Sequence, residues 1–189
     1  ITDKLLKAGN LAKNSDKNYT AEYESIKVKH FKILEALIPK NNTEISKDLD
    51  NKLKKLKNLL DGIFLINELS LQTSDRLVSF GELLSSFIIA ETLKSLNLSA
   101  VRKNTQQLIV TNSNFSKAEV NFETTNANIR AYFSENHQDI TILPGFISKS
   151  DKNEITTLGR GGSDYTAAIV AAALHVKKLE IWTDVSGMY

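Results

Sequence analysis

The chain has 189 residues, enough for one domain or slightly more, with the 41% hydrophobic and 24% charged content of an ordinary globular protein. It has no cysteine, which excludes a disulfide framework and a thiolate metal site, and its three histidines, His30, His137 and His175, are too widely spaced for metal ligation. No apolar run approaches the roughly 20 residues of a membrane span, and Ile1-Thr2-Asp3-Lys4 does not open a signal peptide, so the cytoplasm is the expected location.

The net charge of +2 is uneven: residues 1–60 hold 13 Lys, no Arg and 8 acids. The lysines alternate with Glu, Asp and Asn, and no aromatic residues interleave with them as a base-stacking surface would require, so this basic half reads as a solvated helix face rather than a nucleic-acid site.

Residues 3–97 read as helices. Ile26, Ile33, Leu34, Leu37 and Ile38 recur at spacings of three, four and seven, which predicts an amphipathic helix ending at or before Pro39. Pro39-Lys40-Asn41-Asn42 has turn chemistry, and Leu49, Leu53, Leu56, Leu59, Leu60 and Ile63 repeat the pattern in a second helix. A third helix is expected with Thr73 or Ser74 as its N-cap and Asp75 in the first turn. From Leu77 to Ala90 it is apolar or small around nearly its whole circumference, with Glu82 as the only charge. A buried carboxylate needs a cation or donors. Glu82 would therefore reach solvent, pair with an internal Arg, or meet a cationic group of a ligand.

Residues 98–189 read as strands alternating with helices. Residues 108–111, 140–143 and 179–183 are β-rich, and an alanine-rich helix runs from about Ser163 to His175 between the last two. Strand, helix and strand at this spacing predict a βαβ unit and a partly parallel sheet. Ligands bind at the carboxyl ends of such strands, here Pro144-Gly145-Phe146 and Thr183-Asp184.

The chemistry concentrates in Thr156-Thr157-Leu158-Gly159-Arg160-Gly161-Gly162-Ser163-Asp164-Tyr165. Glycines let backbone amides approach a ligand, free N–H groups at a helix start attract anions, and Arg160 adds a planar fork for a carboxylate or phosphate. Ser163 could cap the helix or donate to a phosphate oxygen. Asp164 suits such a site only with a cation between it and the anion, a combination met at phosphoryl-transfer centres. A tight turn with a good cap would look similar. The spacings match neither the P-loop nor the dinucleotide fingerprint.

The run from Thr157 to Tyr165, the alanine-rich helix after it, and Glu180-Ile181-Trp182-Thr183-Asp184-Val185-Ser186-Gly187-Met188-Tyr189 together resemble the aspartate kinase family. Ser79-Phe80-Gly81-Glu82-Leu83-Leu84-Ser85 and the opening Ile1-Thr2-Asp3 resemble it too, in family order and at fitting separations. Residues 59–73 look most like the kinase portions of bifunctional aspartokinase–homoserine dehydrogenases. The resemblance implies an α/β fold, the three-layer αβα sandwich of the amino-acid kinases, here incomplete at both ends and with a helical N-terminal half. It implies one partial catalytic domain over 1–189, with a helical subregion of about 3–97 and an α/β subregion of about 98–189.

The implied reaction is phosphorylation of the side-chain carboxylate of L-aspartate by ATP with Mg2+, the first step of lysine, threonine and methionine biosynthesis. The parent enzyme would be a homo-oligomer. Thr2, Glu82 and Arg160 would hold aspartate, Arg160 gripping a carboxylate and Glu82 the ammonium. Ser163 would lie by the substrate or the transferring phosphoryl group, Asp164 would orient the catalytic lysine and neighbouring donors, and Thr183, Asp184 and Tyr189 would begin the ATP site. The family's Lys-Phe-Gly-Gly-Thr-Ser strand and its Asp-Pro-Arg segment are absent from the chain, so the isolated chain is expected to be inactive. The alternatives are a non-catalytic binding or regulatory fragment and another amino-acid kinase.

Overall fold

The apolar periodicity of the first half becomes four helices that bury one another. The computed structural model describes residues 1–38 and 43–182. Helix α1 (Thr2–Lys13) turns Leu5, Ala8 and Ala12 inward at helical spacing. Helices α2 (Tyr19–Leu37) and α3 (Thr43–Ile66) contribute Ile26 and Leu34, and Leu49, Leu53, Leu56, Leu60 and Ile63. All meet Leu77, Leu84 and Phe87 of α4 (Leu71–Ser95) in one core. Helix α2 stops ahead of Pro39 as expected, while the turn expected at 39–42 lies outside the described residues.

Helix α4 starts earlier than its sequence suggests. Ser70, with extended backbone, is the N-cap, and its hydroxyl accepts from the Thr73 amide at 3.2 Å. That satisfies the third free N–H of the helix, so Thr73 and Ser74 belong to the first turn. Asp75 consequently moves one turn into the helix and becomes buried.

Beyond α4 the order is β1 (Ala100–Arg102), β2 (Val110–Thr111), α5 (Phe122–Glu135), β3 (Ile140–Ile142), β4 (Ile147–Ser150), β5 (Ile155–Thr157) and α6 (Gly162–Leu174). Strands β1 and β3 pair in parallel, from Ala100↔Ile140 to Arg102↔Ile142. Strand β2 runs parallel to β4, and β4 turns back antiparallel onto β5 through Ile147↔Thr157. The pairing is thus partly parallel, in two small sheets, β1–β3 and β2–β4–β5; an antiparallel hairpin stands between β3 and α6, and among the described residues no strand follows α6 to complete the simple βαβ unit. Residues 179–182 carry no strand; Ile181 is 48% and Trp182 88% exposed. Their β-rich composition finds no neighbouring ladder among the described residues, and strand preference without a pairing and packing partner is weak.

Helix α4 packs against β1, β3 and β5, whereas α5 lies on β2 and pairs with α6. Leu108, Ile109, Ile129, Leu158 and Ile169 form a second, smaller core beneath α5 and α6. The strands therefore sit between helices on either side, the helix–sheet–helix layering of an αβα sandwich. The β5–α6 connection, residues 158–161, faces the middle of α4.

Candidate active site

Strand β5 delivers the chain into Leu158-Gly159-Arg160-Gly161, and α6 begins at Gly162. The helix is capped by Gly161, in the left-handed region at φ 73°, with no side-chain hydrogen bond. Ser163, a candidate cap in the sequence, instead lies inside the first turn. The reason is local: a left-handed residue reverses the chain tightly, and glycine alone adopts it without a Cβ penalty. The N–H groups of Ser163 and Asp164 have no backbone acceptor among the described residues. Such a bare helix start attracts anions.

The loop before β4 closes this helix start from behind. Gly145 lies so near α6 that an added Cβ would stand 2.9 Å from the Ser163 Cα. Phe146 follows at φ 68°, its N–H donating to Thr166 Oγ1 at 3.0 Å. The carboxyl end of β3 thus reaches the site, as the strand-end rule anticipates.

Five residues singled out in the sequence come together here. Thr2, Glu82, Arg160, Ser163 and Asp164 line one cleft of about 230 Å³, together with Phe146 and the loop glycines. Thr2 stands at the start of α1, Glu82 at the middle of α4, and the other three on the loop and first turn of α6. Thr183, Asp184 and Tyr189 lie outside the described residues.

The cleft carries separated charges. Glu82 is half-buried, and its carboxylate has no hydrogen-bonding or ion-pairing side chain among the described residues. Burial pushes its pKa up. Among the described residues no arginine pairs with it. Arg160 and Asp164 are exposed and form no salt bridge among the described residues. A lone carboxylate on one wall, with a guanidinium and a helix N-terminus on the other, is complementary to a small molecule bearing both an ammonium and a carboxylate or phosphate.

Two further hollows adjoin the cleft. One of about 510 Å³ lies along α6 between Thr141, Leu143, Val170 and Lys178, and shares Glu82 and Ser163. Another of about 380 Å³ lies between α2 and α4, is lined by His30, Ile33 and Ile88, and shares Thr2 and Glu82. His30 is buried, bonds through Nδ1 to the Ile26 carbonyl at 2.7 Å, and has its pKa lowered, chiefly by burial.

Asp75, in the sequence only a first-turn acid, has a larger part in the fold. It is buried and accepts from the Ser116 and Thr157 amides and from the Thr157 hydroxyl. Burial raises its pKa, although these donors work in the opposite direction. The available signal was a second acid seven residues before Glu82, on the same face of the helix.

The model of the amino acid kinase family matches residues 1–189. Lysine-sensitive aspartokinase 3 of Escherichia coli K12 is 38% identical over 143 residues, covering 72% of this chain and 32% of the relative. The bifunctional aspartokinase/homoserine dehydrogenase of Buchnera aphidicola is 33% identical over 147 residues, covering 77% of this chain and 18% of the relative. Among solved structures, E. coli aspartokinase III in complex with aspartate and ADP superposes with a TM-score of 0.88 at 31% identity, covering all of this chain and 41% of that one. The chain therefore spans about a third or less of the length of these curated relatives. With the family model running over every residue and the fold reproduced at this identity, the chain belongs to the amino acid kinase family.

Proposed function

We propose that this chain is part of the catalytic domain of an aspartate kinase, with a helical subregion of about 3–97 and an α/β subregion of about 98–189. The protein that carries it transfers the γ-phosphoryl group of ATP to the side-chain carboxylate of L-aspartate. The observation that carries the proposal is the convergence of Thr2, Glu82, Arg160, Ser163 and Asp164 on one cleft. The relation to E. coli aspartokinase III, seen with aspartate and ADP, supports the same substrates here.

The roles follow from charge. Arg160 takes a carboxylate of aspartate through its planar fork, Glu82 takes the ammonium, and Thr2 contributes a hydroxyl at the cleft edge. Binding the ammonium gives Glu82 the counter-charge it lacks in the free chain. Ser163 and the bare amides of α6 face the oxygens of the substrate or of the moving phosphoryl group. Asp164, at the same helix start, orients the cationic groups that serve that transfer.

The nucleophile is a carboxylate already ionised at neutral pH, so no general base is required. One carboxylate oxygen bonds to the γ-phosphorus, the bond from that phosphorus to the β,γ-bridging oxygen breaks, and ADP leaves with the electron pair. The protein's contribution is alignment and neutralisation of charge. Among the described residues no group of three or more His, Asp or Glu side chains is placed to hold a metal ion. Magnesium supplies neutralisation of phosphate charge when bound, and such ions are carried largely by the phosphates and water, with one or two carboxylates. Thr183, Asp184 and Tyr189 complete the proposal as nucleotide contacts.

Among the described residues no helix is long and apolar enough to cross a membrane. The same reading expects a cytoplasmic homo-oligomer, which fractionation and light scattering would check. The decisive experiment is ADP release by the protein carrying this chain, with L-aspartate, L-glutamate or no amino acid added. Release that requires L-aspartate is the expected result. Equal release with glutamate, or none with aspartate, refutes the proposal.

A further inference from the structure

Glu82 and Arg160 face one cleft from segments far apart in the chain, and something must hold the two segments in register. Asp75 stands where they meet. It is 2% exposed and lies two turns before Glu82 on the same face of α4. Its Oδ2 accepts from the amide of Ser116 at 2.8 Å and from the amide of Thr157 at 2.9 Å. Its Oδ1 accepts from the Thr157 hydroxyl at 2.9 Å.

Both partners sit directly under the Arg160 loop. Thr157 is the last residue of β5, three positions before Arg160. Ser116 holds a left-handed φ of 70°, and its carbonyl lies against Gly159, where an added Cβ would come within 3.2 Å. The Thr157 carbonyl in turn accepts from Ala118 N–H at 2.9 Å. One carboxylate therefore ties the 113–118 turn and the end of β5 to the helix that carries Glu82.

The contact needs a side chain that accepts from two backbone N–H groups at once. Both partners are neutral donors, and none of the charged groups among the described residues pairs with Asp75. A carboxylate accepts on both oxygens as the donors stand; an amide in its place would keep both backbone N–H bonds on its oxygen only if the Thr157 hydroxyl turned round to accept from the N–H₂. A hydrophobic residue would leave two backbone N–H groups unbonded.

We propose that Asp75 is a positioning residue: through Thr157 and Ser116 it fixes the Arg160 loop against the Glu82 helix and sets the spacing at which the two charges meet the two ends of an amino-acid substrate. The inference rests on the aspartate kinase reading for the identity of that substrate. The coupling of helix to loop rests on the contacts alone.

Two measurements test it. In the protein carrying this chain, Asp75→Ala, which leaves both backbone N–H groups without their acceptor, is expected to raise KM for aspartate roughly tenfold to a hundredfold, since small displacements of a binding group have effects of that order, with KM for ATP within about twofold. Leu56→Ala, in the helical core and away from the cleft, serves as the destabilised control and leaves KM for aspartate unchanged. If Asp75→Ala does not fold, Thr157→Val removes only the hydroxyl contact and shifts KM in the same direction by less. The second measurement is hydrogen exchange of this chain. Asp75→Ala, or Thr157→Val, accelerates exchange at 113–118 and 157–162 while α1 to α3 stay protected. A wild-type protein that ignores aspartate overturns the kinase reading and the substrate clause with it. Active wild type with an unchanged KM for aspartate in these variants, or exchange that rises uniformly as in Leu56→Ala, overturns the positioning role itself.

Discussion

Replacing Glu82 by Gln separates a ligand-binding carboxylate from a structural one. The two side chains have nearly the same volume, so no cavity opens. No hydrogen bond or ion pair of the Glu82 carboxylate is lost, because none exists among the described residues. Burial already raises its pKa, so the ionised form is held against a penalty. Removing a poorly compensated buried charge is often neutral or stabilising, and for a half-buried group the gain is limited to between zero and about 1 kcal/mol. The pH dependence has a definite sign. A carboxyl group whose pKa is raised in the folded state contributes its full stability below the unfolded range, near pH 4, and loses it as pH rises through the folded value. The melting temperatures of wild type and Glu82→Gln should therefore converge below about pH 4 and separate in favour of the variant toward neutrality. Binding should move the other way. A charge-assisted contact is worth about 1.5–3 kcal/mol, or roughly tenfold to a hundredfold in affinity, so the KM for aspartate should rise by that factor. Thermal melting across pH and steady-state kinetics on this one variant decide the matter. A melting temperature several degrees lower at pH 7, with KM for aspartate unchanged, would refute the reasoning.

Three more expectations follow from the same geometry. Arg160→Ala should raise KM for aspartate on the order of tenfold or more and KM for ATP much less, because Arg160 stands alone and exposed at the cleft; equal effects on both substrates would make it a general phosphate contact. Gly145→Ala should destabilise the protein by about 1–3 kcal/mol and weaken aspartate use, because the new Cβ meets the Ser163 backbone; an unchanged melting temperature would show that α6 can shift. Burial lowers the pKa of His30, so its stabilising contribution is present above the unfolded value near 6.5 and lost as pH falls through the folded value; His30→Leu should flatten the fall in melting temperature between about pH 7 and 5, and an identical slope in wild type would exclude His30 as its cause.

Much of the helical half is local in origin and therefore legible. The apolar spacings of Ile26 to Ile38, Leu49 to Ile63 and Leu77 to Ala90 each state a period and a buried face, and packing needs only to bring those faces together. The cleft residues were legible for a related reason: Gly159-Arg160-Gly161-Gly162-Ser163-Asp164 and the lone Glu82 carry their chemistry in residue type. What remained hidden depends on partners distant in the chain. The β4–β5 hairpin is rich in Ser, Thr and Lys and shows no apolar alternation. Its strand hydroxyls are buried all the same, because Thr111 and Ser148 both hydrogen-bond to the Thr156 hydroxyl. Asp75 reads as an ordinary helix-start acid until Ser116 and Thr157 arrive to donate to it. Residues 179–182 show the converse, a strand-like composition that pairs with nothing among the described residues. The sequence by itself determined the helices of the N-terminal half and the one after the glycine loop, the anion-attracting loop and the identity of the cleft's charges, since these follow from periodicity and side-chain chemistry over a few residues. Only the tertiary structure decided which polar residues are buried and which strands pair. A buried hydroxyl or carboxylate is tolerated only when a donor or acceptor meets it, and that partner lies elsewhere in the chain.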